Sequence, residues 1–193
     1  MDALQGVQHG PTPFFSYVGG PSFLADHQKN MRSIVASRDG LAIDVVGTNI
    51  TNWNPDTVPY LTYLTNAGRV GNGNPENIVV VGKKVDDLRT NFAGRDPMAG
   101  SGERLTEAEL TKPTLTITSA AFSGSNLNLG LTVSANTNKV DVYIDGLYAG
   151  SASENFANVS INPGTVASGI RNIRVYAFNR HMAHIAANTT AVR

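Results

Sequence analysis

The sequence predicts an α+β protein of two parts: a small α/β domain, then an all-β sandwich. Three observations carry this. Apolar residues in the first half recur at helical spacing or in short β-branched runs, whereas beyond Pro113 they alternate every second residue. Between the two periods lies a stretch rich in Gly, Pro and charge, 95–112, with the composition of a linker. The third is residues 139–151, KVDVYIDGLYAGS, where Val140, Val142 and Ile144 alternate with Asp141, Tyr143 and Asp145 before an Asp145-Gly146 pair suited to a tight hairpin turn.

The chain begins with residues 1–20, rich in Gly and Pro and carrying Phe14, Phe15 and Tyr17 without a sustained period. They read as an extended arm whose aromatics need a surface to cover them, on this chain or on a neighbouring subunit. Over 21–38 the positions Leu24, Met31, Ile34 and Val35 fall on one helical stripe, with Gly40 placed to end it and His27 on the stripe. Residues 41–46, LAIDVV, read as a short buried strand. A helix follows over 58–67, with Pro59 in its first turn, Asp56 or Thr57 as its cap and Gly68 closing it. Residues 77–81, NIVVV, give a second strand, so the unit reads β-α-β with a right-handed crossover. Val85, Leu88 and Phe92 then space a short helix, and 21–94 is expected to be the α/β domain.

After the linker, in which Thr106 to Leu110 suit one helical turn, the expected strands centre on Leu115 and Ile117, on Leu127 to Val133, on the 139–151 hairpin, on Val159 and Ile161, on Ile173 to Ala177, and on 185–192. Seven strands in about 80 residues, punctuated by turns such as Asn162-Pro163-Gly164, specify a small sandwich over 113–193. A two-residue loop pairs Ile144 with Leu147, Val142 with Ala149 and Tyr143 with Tyr148.

Composition narrows function. The net charge is zero and the pI near 6.9, which removes the basic footprint of a nucleic-acid or anionic-membrane binder. Without cysteine, disulfides, thiol nucleophiles and Cys-based zinc sites are excluded. No stretch approaches the roughly 18 apolar residues of a membrane span, and the N-terminal residues lack a signal-peptide pattern. The glycines of GRVGNGNPEN lack Walker or dinucleotide spacing. Asp44 and Asp56 bracket the end of the expected first strand, where open α/β sheets place ligands, but two carboxylates are explained by capping and solvation. His181 and His184, three apart, lack a third metal ligand, and Trp53 sits in a polar loop. No catalytic residue, metal or cofactor is expected.

If Val142, Val175 and Ala177 point inward, Tyr143, Tyr176 and Phe178 point outward with Tyr148 beside them. That face is the expected contact surface of the sandwich, together with Phe14, Phe15 and Tyr17 of the arm. Its occupant is the N-terminal part or linker of the same chain, another protein, or a sugar.

The pattern VDVYIDGLYAGSA followed by SGIRNIRVYAFN resembles bacterial and phage immunoglobulin-like modules, over residues 113–193 and without the cysteines and core tryptophan of antibody domains. The two-part layout resembles phage capsid decoration proteins and some tail proteins. This resemblance implies a non-enzymatic virion structural protein with an outward immunoglobulin-like domain, partnered by other virion proteins such as the major capsid protein and by copies of itself. The alternatives are a tail protein, or a secreted or cell-surface bacterial protein whose module binds carbohydrate or acts as a spacer; a host-surface glycan is then a further partner. A second likeness lies in NPENIVVVGKKVDDLRTNFAGRD, which resembles the strand-and-turn region ahead of the nucleophile in subtilisin-like serine proteases over roughly 35 residues of hydrophobic pattern. Asp96-Pro-Met-Ala-Gly-Ser101 lacks the order of their nucleophile motif, so no activity is carried over.

Overall fold

The computed structural model describes residues 2–3, 6–7, 28–29, 31–68, 70–91 and 102–193. The chain forms two compact units, Met1–Ile78 with Val85–Leu105, and Val79–Lys84 with Thr106–Arg193. The backbone thus passes from one unit to the other after Ile78, after Lys84 and after Leu105.

Among its described residues the first unit is helical, with two minimal antiparallel pairings: β1 (Asp2–Ala3) against β4 (Ser33–Ile34), and β2 (Gly6–Val7) against β3 (Gln28–Lys29). The expected helix over 21–38 is therefore corrected within its described part. Residues 41–46 are also not a strand. They belong to helix α1 (Gly40–Ile50), and Gly40 starts the helix instead of ending the previous one. The deciding residue is Asp39, whose carboxylate accepts the Ala42 amide at 3.0 Å and caps the N-terminus. It also accepts the Asn72 amide at 2.7 Å, and these bonds hold its carboxyl below the usual value. The apolar run then falls on one face, burying Leu41, Val45, Val46 and Ile50 at steps of four, one and four. At the other end the Arg89 guanidinium donates to the Asn49 carbonyl at 2.7 Å and pairs with Asp86.

Helix α2 (Pro59–Ala67) has Pro59 in its first turn and ends on left-handed Gly68 (φ 63°). Neither Asp56 nor Thr57 caps it, because both are spent in a preceding 3-10 turn, Pro55–Thr57, capped by Asn54. Residues 102–105 lace onto the loop after α1: Asn54 donates to the Glu103 carbonyl, Leu105 to the Asn52 carbonyl, and the Arg104 guanidinium lies 5.5 Å from the half-buried Trp53 ring. Helix α3 (Val85–Leu88) is a single turn. The expected strand at 77–81 is not formed: a 3-10 turn at Pro75–Asn77 leads into extended chain without a ladder. Among the described residues there is no β-α-β unit, so the α/β expectation for this part is replaced by a helical one.

The second unit holds all seven expected strands: β5 (Leu115–Ser123), β6 (Asn126–Val133), β7 (Lys139–Ile144), β8 (Leu147–Ala152), β9 (Val159–Ile161), β10 (Ile170–Phe178) and β11 (His184–Val192). They form two antiparallel sheets, β5-β6-β9 and β8-β7-β10-β11. The chain changes sheet after β6, β8 and β9, which makes an immunoglobulin-like sandwich. Its core is apolar and two-sided, with Leu127, Leu129 and Leu131 from one sheet facing Val140, Val142, Ile173 and Val175 from the other.

The β7–β8 hairpin turns on Asp145 (φ 50°) and Gly146 (φ 85°), and Ile144 pairs with Leu147 and Tyr143 with Tyr148. Beyond that the register departs from expectation: a bulge places Gly150, not Ala149, opposite Val142. A Cβ on Gly150 would lie 2.8 Å from the Ile161 side chain, so the residue that the bulge brings to this position is one that permits close approach of the two sheets. Ahead of the first strand, Thr106 and Glu109 exchange side-chain-to-amide bonds as a capping box around one helical turn. Asn179 then clamps this turn to the β10–β11 loop. Its amide donates to the carbonyls of Glu109 and Thr111, while its oxygen accepts the His181 and Ala183 amides.

Candidate functional site

Alternation in β7 and β10 puts two chemistries on opposite faces of one sheet. The inner face takes Val140, Val142 and Ile144; the outer face takes Lys139, Asp141 and Tyr143. Register then sets the outer neighbours, because Tyr143 stands opposite Arg174, Asp141 opposite Tyr176 and Lys139 opposite Phe178. Rings run in a chain across this face: Tyr148 to Tyr143 at 5.7 Å, Tyr143 to Tyr176 at 5.5 Å, Tyr176 to Phe178 at 6.1 Å, with the His184 ring at 5.6 and 5.7 Å from Tyr176 and Phe178.

The aromatic face exists as predicted, but its exposure is corrected. Tyr143 and Phe178 are buried, Tyr176 is half-buried, and only Tyr148 keeps 40% of its surface. Part of the cover comes from Val79–Lys84, which belongs to the sandwich unit. The Lys84 ammonium donates to the Val80 carbonyl and to the Tyr143 hydroxyl, both at 2.6 Å, and lies 4.5 and 4.7 Å from the centres of the Tyr143 and Tyr176 rings. Phe14, Phe15 and Tyr17 lie outside the described residues.

Beneath the rings sit Lys139 and Asp141, both buried, with 3.3 Å between ammonium and carboxylate. Burial pushes the Asp141 carboxyl up, and the nearby Lys139 and Lys84 cations partly reverse this; burial likewise lowers Lys139 against the pull of Asp141. The Tyr143 phenol is pushed up to about 12, first by burial and then by the Asp141 charge. It therefore stays neutral at any physiological pH, accepting from Lys84. The Lys139 ammonium also faces the Phe178 ring at 5.2 Å, and Arg174 covers Tyr176 at 4.9 Å. Such a layer can hold a cation by ring faces, a hydroxyl and a buried acid.

The other candidates do not gather. Asp44 is exposed on α1, not at a strand end. His181 lies 3.5 Å from the Glu109 carboxylate, whereas the His184 ring lies tilted within the aromatic layer. No group of three metal-ligating side chains occurs among the described residues, and no helix among them is long and apolar enough to cross a membrane. An open cleft of about 790 Å³ lies at the hairpin end of the sandwich, lined by Asp145, Asn172, Arg174 and Asn188 among others. Sequence reasoning missed Lys84. It sits in GKKV, and nothing in that local pattern distinguishes it from Lys83.

No known protein family matches the chain, and no curated protein does. Among solved structures, the chain is similar to fibronectin(III)-like modules of Clostridium thermocellum CbhA, at 22% identity over 42% of this chain and 46% of that one with a TM-score of 0.34. It is also similar to the Clostridium perfringens spore cortex lytic enzyme SleM, at 15% identity over 62% and 44% with a TM-score of 0.39. A third, described as a protease, shows 17% identity over 77% of this chain and 31% of that one, with a TM-score of 0.35. The chain spans less than half the length of each of these structures.

Proposed function

We propose that this chain is a non-enzymatic structural protein of a phage virion, a decoration or stabilising component that presents its immunoglobulin-like domain outward. The observation that supports this reading best is the closure of the outer sheet face by the chain's own Lys84. A sandwich sealed in this way works as a stiff, self-contained body, suited to display or spacing. The same closure counts against the alternative in which Tyr143 and Tyr176 form an open platform for sugars, since such stacking needs a free ring face. Contacts with neighbours then fall to the ends and edges of the sandwich, where Leu147, Ile170 and Val192 are each at least 70% exposed. Weak contacts of this kind suffice when many copies bind a repeating lattice.

Co-sedimentation of the purified chain with candidate virions and expanded capsids tests the proposal. Saturable binding at fixed stoichiometry supports it, and its loss on deleting residues 1–20 assigns anchoring to the arm with Phe14, Phe15 and Tyr17. Absence of particle binding together with retardation in polysaccharide gels replaces it with the secreted, carbohydrate-binding reading.

A further inference from the structure

The outer sheet face holds chemistry that stands independently of the virion reading. Burying a lysine ammonium is strongly unfavourable unless its charge and its N–H groups are met. Lys84 is 3% exposed, while its neighbour Lys83 is exposed. Two of the three donors of Lys84 are taken at 2.6 Å by one carbonyl and one phenol, and two aromatic rings stand within 5 Å of the charge. Asp141, fully buried, feels the Lys84 cation as well as that of Lys139. Apart from Val80 and Lys84 itself, every one of these groups is fixed by strands β7 and β10, so the receptor half of the arrangement belongs to the sheet.

We infer that the outer face of the four-stranded sheet is a binding site for a primary alkylammonium group, formed by the Tyr143 hydroxyl and the Tyr143 and Tyr176 rings, and that the chain occupies this site itself with Lys84. The ligand class is a lysine-type side chain. The segment Val79–Lys84 is then a strap whose key can be removed and replaced by another of the same chemistry.

Chemical rescue tests this on the full chain. Lys84→Ala lowers the midpoint of thermal unfolding, and n-butylammonium, which has the four carbons and the ammonium of a whole lysine side chain, restores about 2–4 °C of it with a saturable dependence. An equal concentration of sodium chloride with n-butanol restores nothing, and Tyr176→Leu in the Lys84→Ala background abolishes the rescue. A folded Lys84→Ala protein that responds to butylammonium no more than to the control overturns the site, as does rescue that persists without the Tyr176 ring. A Lys84→Ala chain that fails to fold with or without the amine overturns it too. The unmodified protein gives a second measurement, since limiting acetylation read by mass spectrometry compares two adjacent lysines. Lys83 is expected to react on the order of tenfold or more faster than Lys84, whose reaction waits for local opening. Equal rates overturn the inference.

Discussion

Strand β7 carries two buried layers that are held by opposite means. Its inner side chains, Val140, Val142 and Ile144, lie in an apolar core where each atom removed loses contact area. Its outer ones, Lys139, Asp141 and Tyr143, are just as inaccessible, yet they are held by charge, hydrogen bonds and ring contacts. The inner layer is graded, tolerating changes in proportion to lost volume. The outer layer is all-or-none, because deleting one partner strands another in a place water cannot reach.

The largest effect that separates the two comes from Asp141→Ala. It leaves Lys139 buried without its counter-charge and is expected to destabilise the sandwich by roughly 3–5 kcal/mol in urea unfolding. Replacing both members, Lys139→Met with Asp141→Val, recovers most of that loss if pairing is the cause; a double variant no better than the single would show that Asp141 acts through something else. On the inner face, Val142→Ala is expected to lose about 2–3 kcal/mol by area and cavity, with no unpaired group left behind. Trp53, the sole tryptophan, lies in the helical unit, so its fluorescence follows that unit and not the sandwich.

A smaller effect is expected from Tyr143→Phe, which keeps the ring and removes the acceptor of Lys84, at about 1–2 kcal/mol. A loss as large as that from Asp141→Ala would mean that the phenol, not the acid, holds the layer together. The smallest sharpens the contrast between buried and exposed acids. Asp145, in the turn that follows β7, accepts the Asn172 amide at 2.9 Å and pairs with Arg171 at 3.0 Å, and these partners hold its carboxyl below the usual 3.8. A depressed folded value contributes stability above the unfolded one and loses it as pH falls through the folded one. Asp145→Asn, which keeps a residue suited to the turn, is therefore slightly less stable at neutral pH, and the gap closes as the solution is acidified below 3.8. Asp141 has the reverse sign, since a carboxyl raised by burial opposes folding more as pH climbs through its folded value.

The sandwich was legible because alternation every second residue has one structural solution when one side must be dry, and Asp145-Gly146 fixed its main hairpin. Its one register error arose at the Val142–Gly150 bulge, which adds a residue without leaving a mark in polarity. Residues 41–50 were harder. A run of Leu, Ala, Ile and Val suits either a buried strand or a buried helical face, and the bond that decided it came from Asp39, placed outside the run. The aromatic layer was readable as a set of side chains on one face. Its occupant was not, because Lys84 meets Tyr143 across 59 positions of sequence and no local period encodes such a meeting.

That long reach bears on how the domain can be inherited or cut out. A gene segment encoding Thr106–Arg193 would carry all seven strands and their turns, and by strand count alone it would look like a complete exchangeable cassette. It would nevertheless leave behind Val79–Lys84, and with it the cation seated on Tyr143 and Tyr176. Transplanted in that form, the cassette would expose a sticky row of rings over a buried acid, so recombination that preserves this module must move two separated stretches of sequence together.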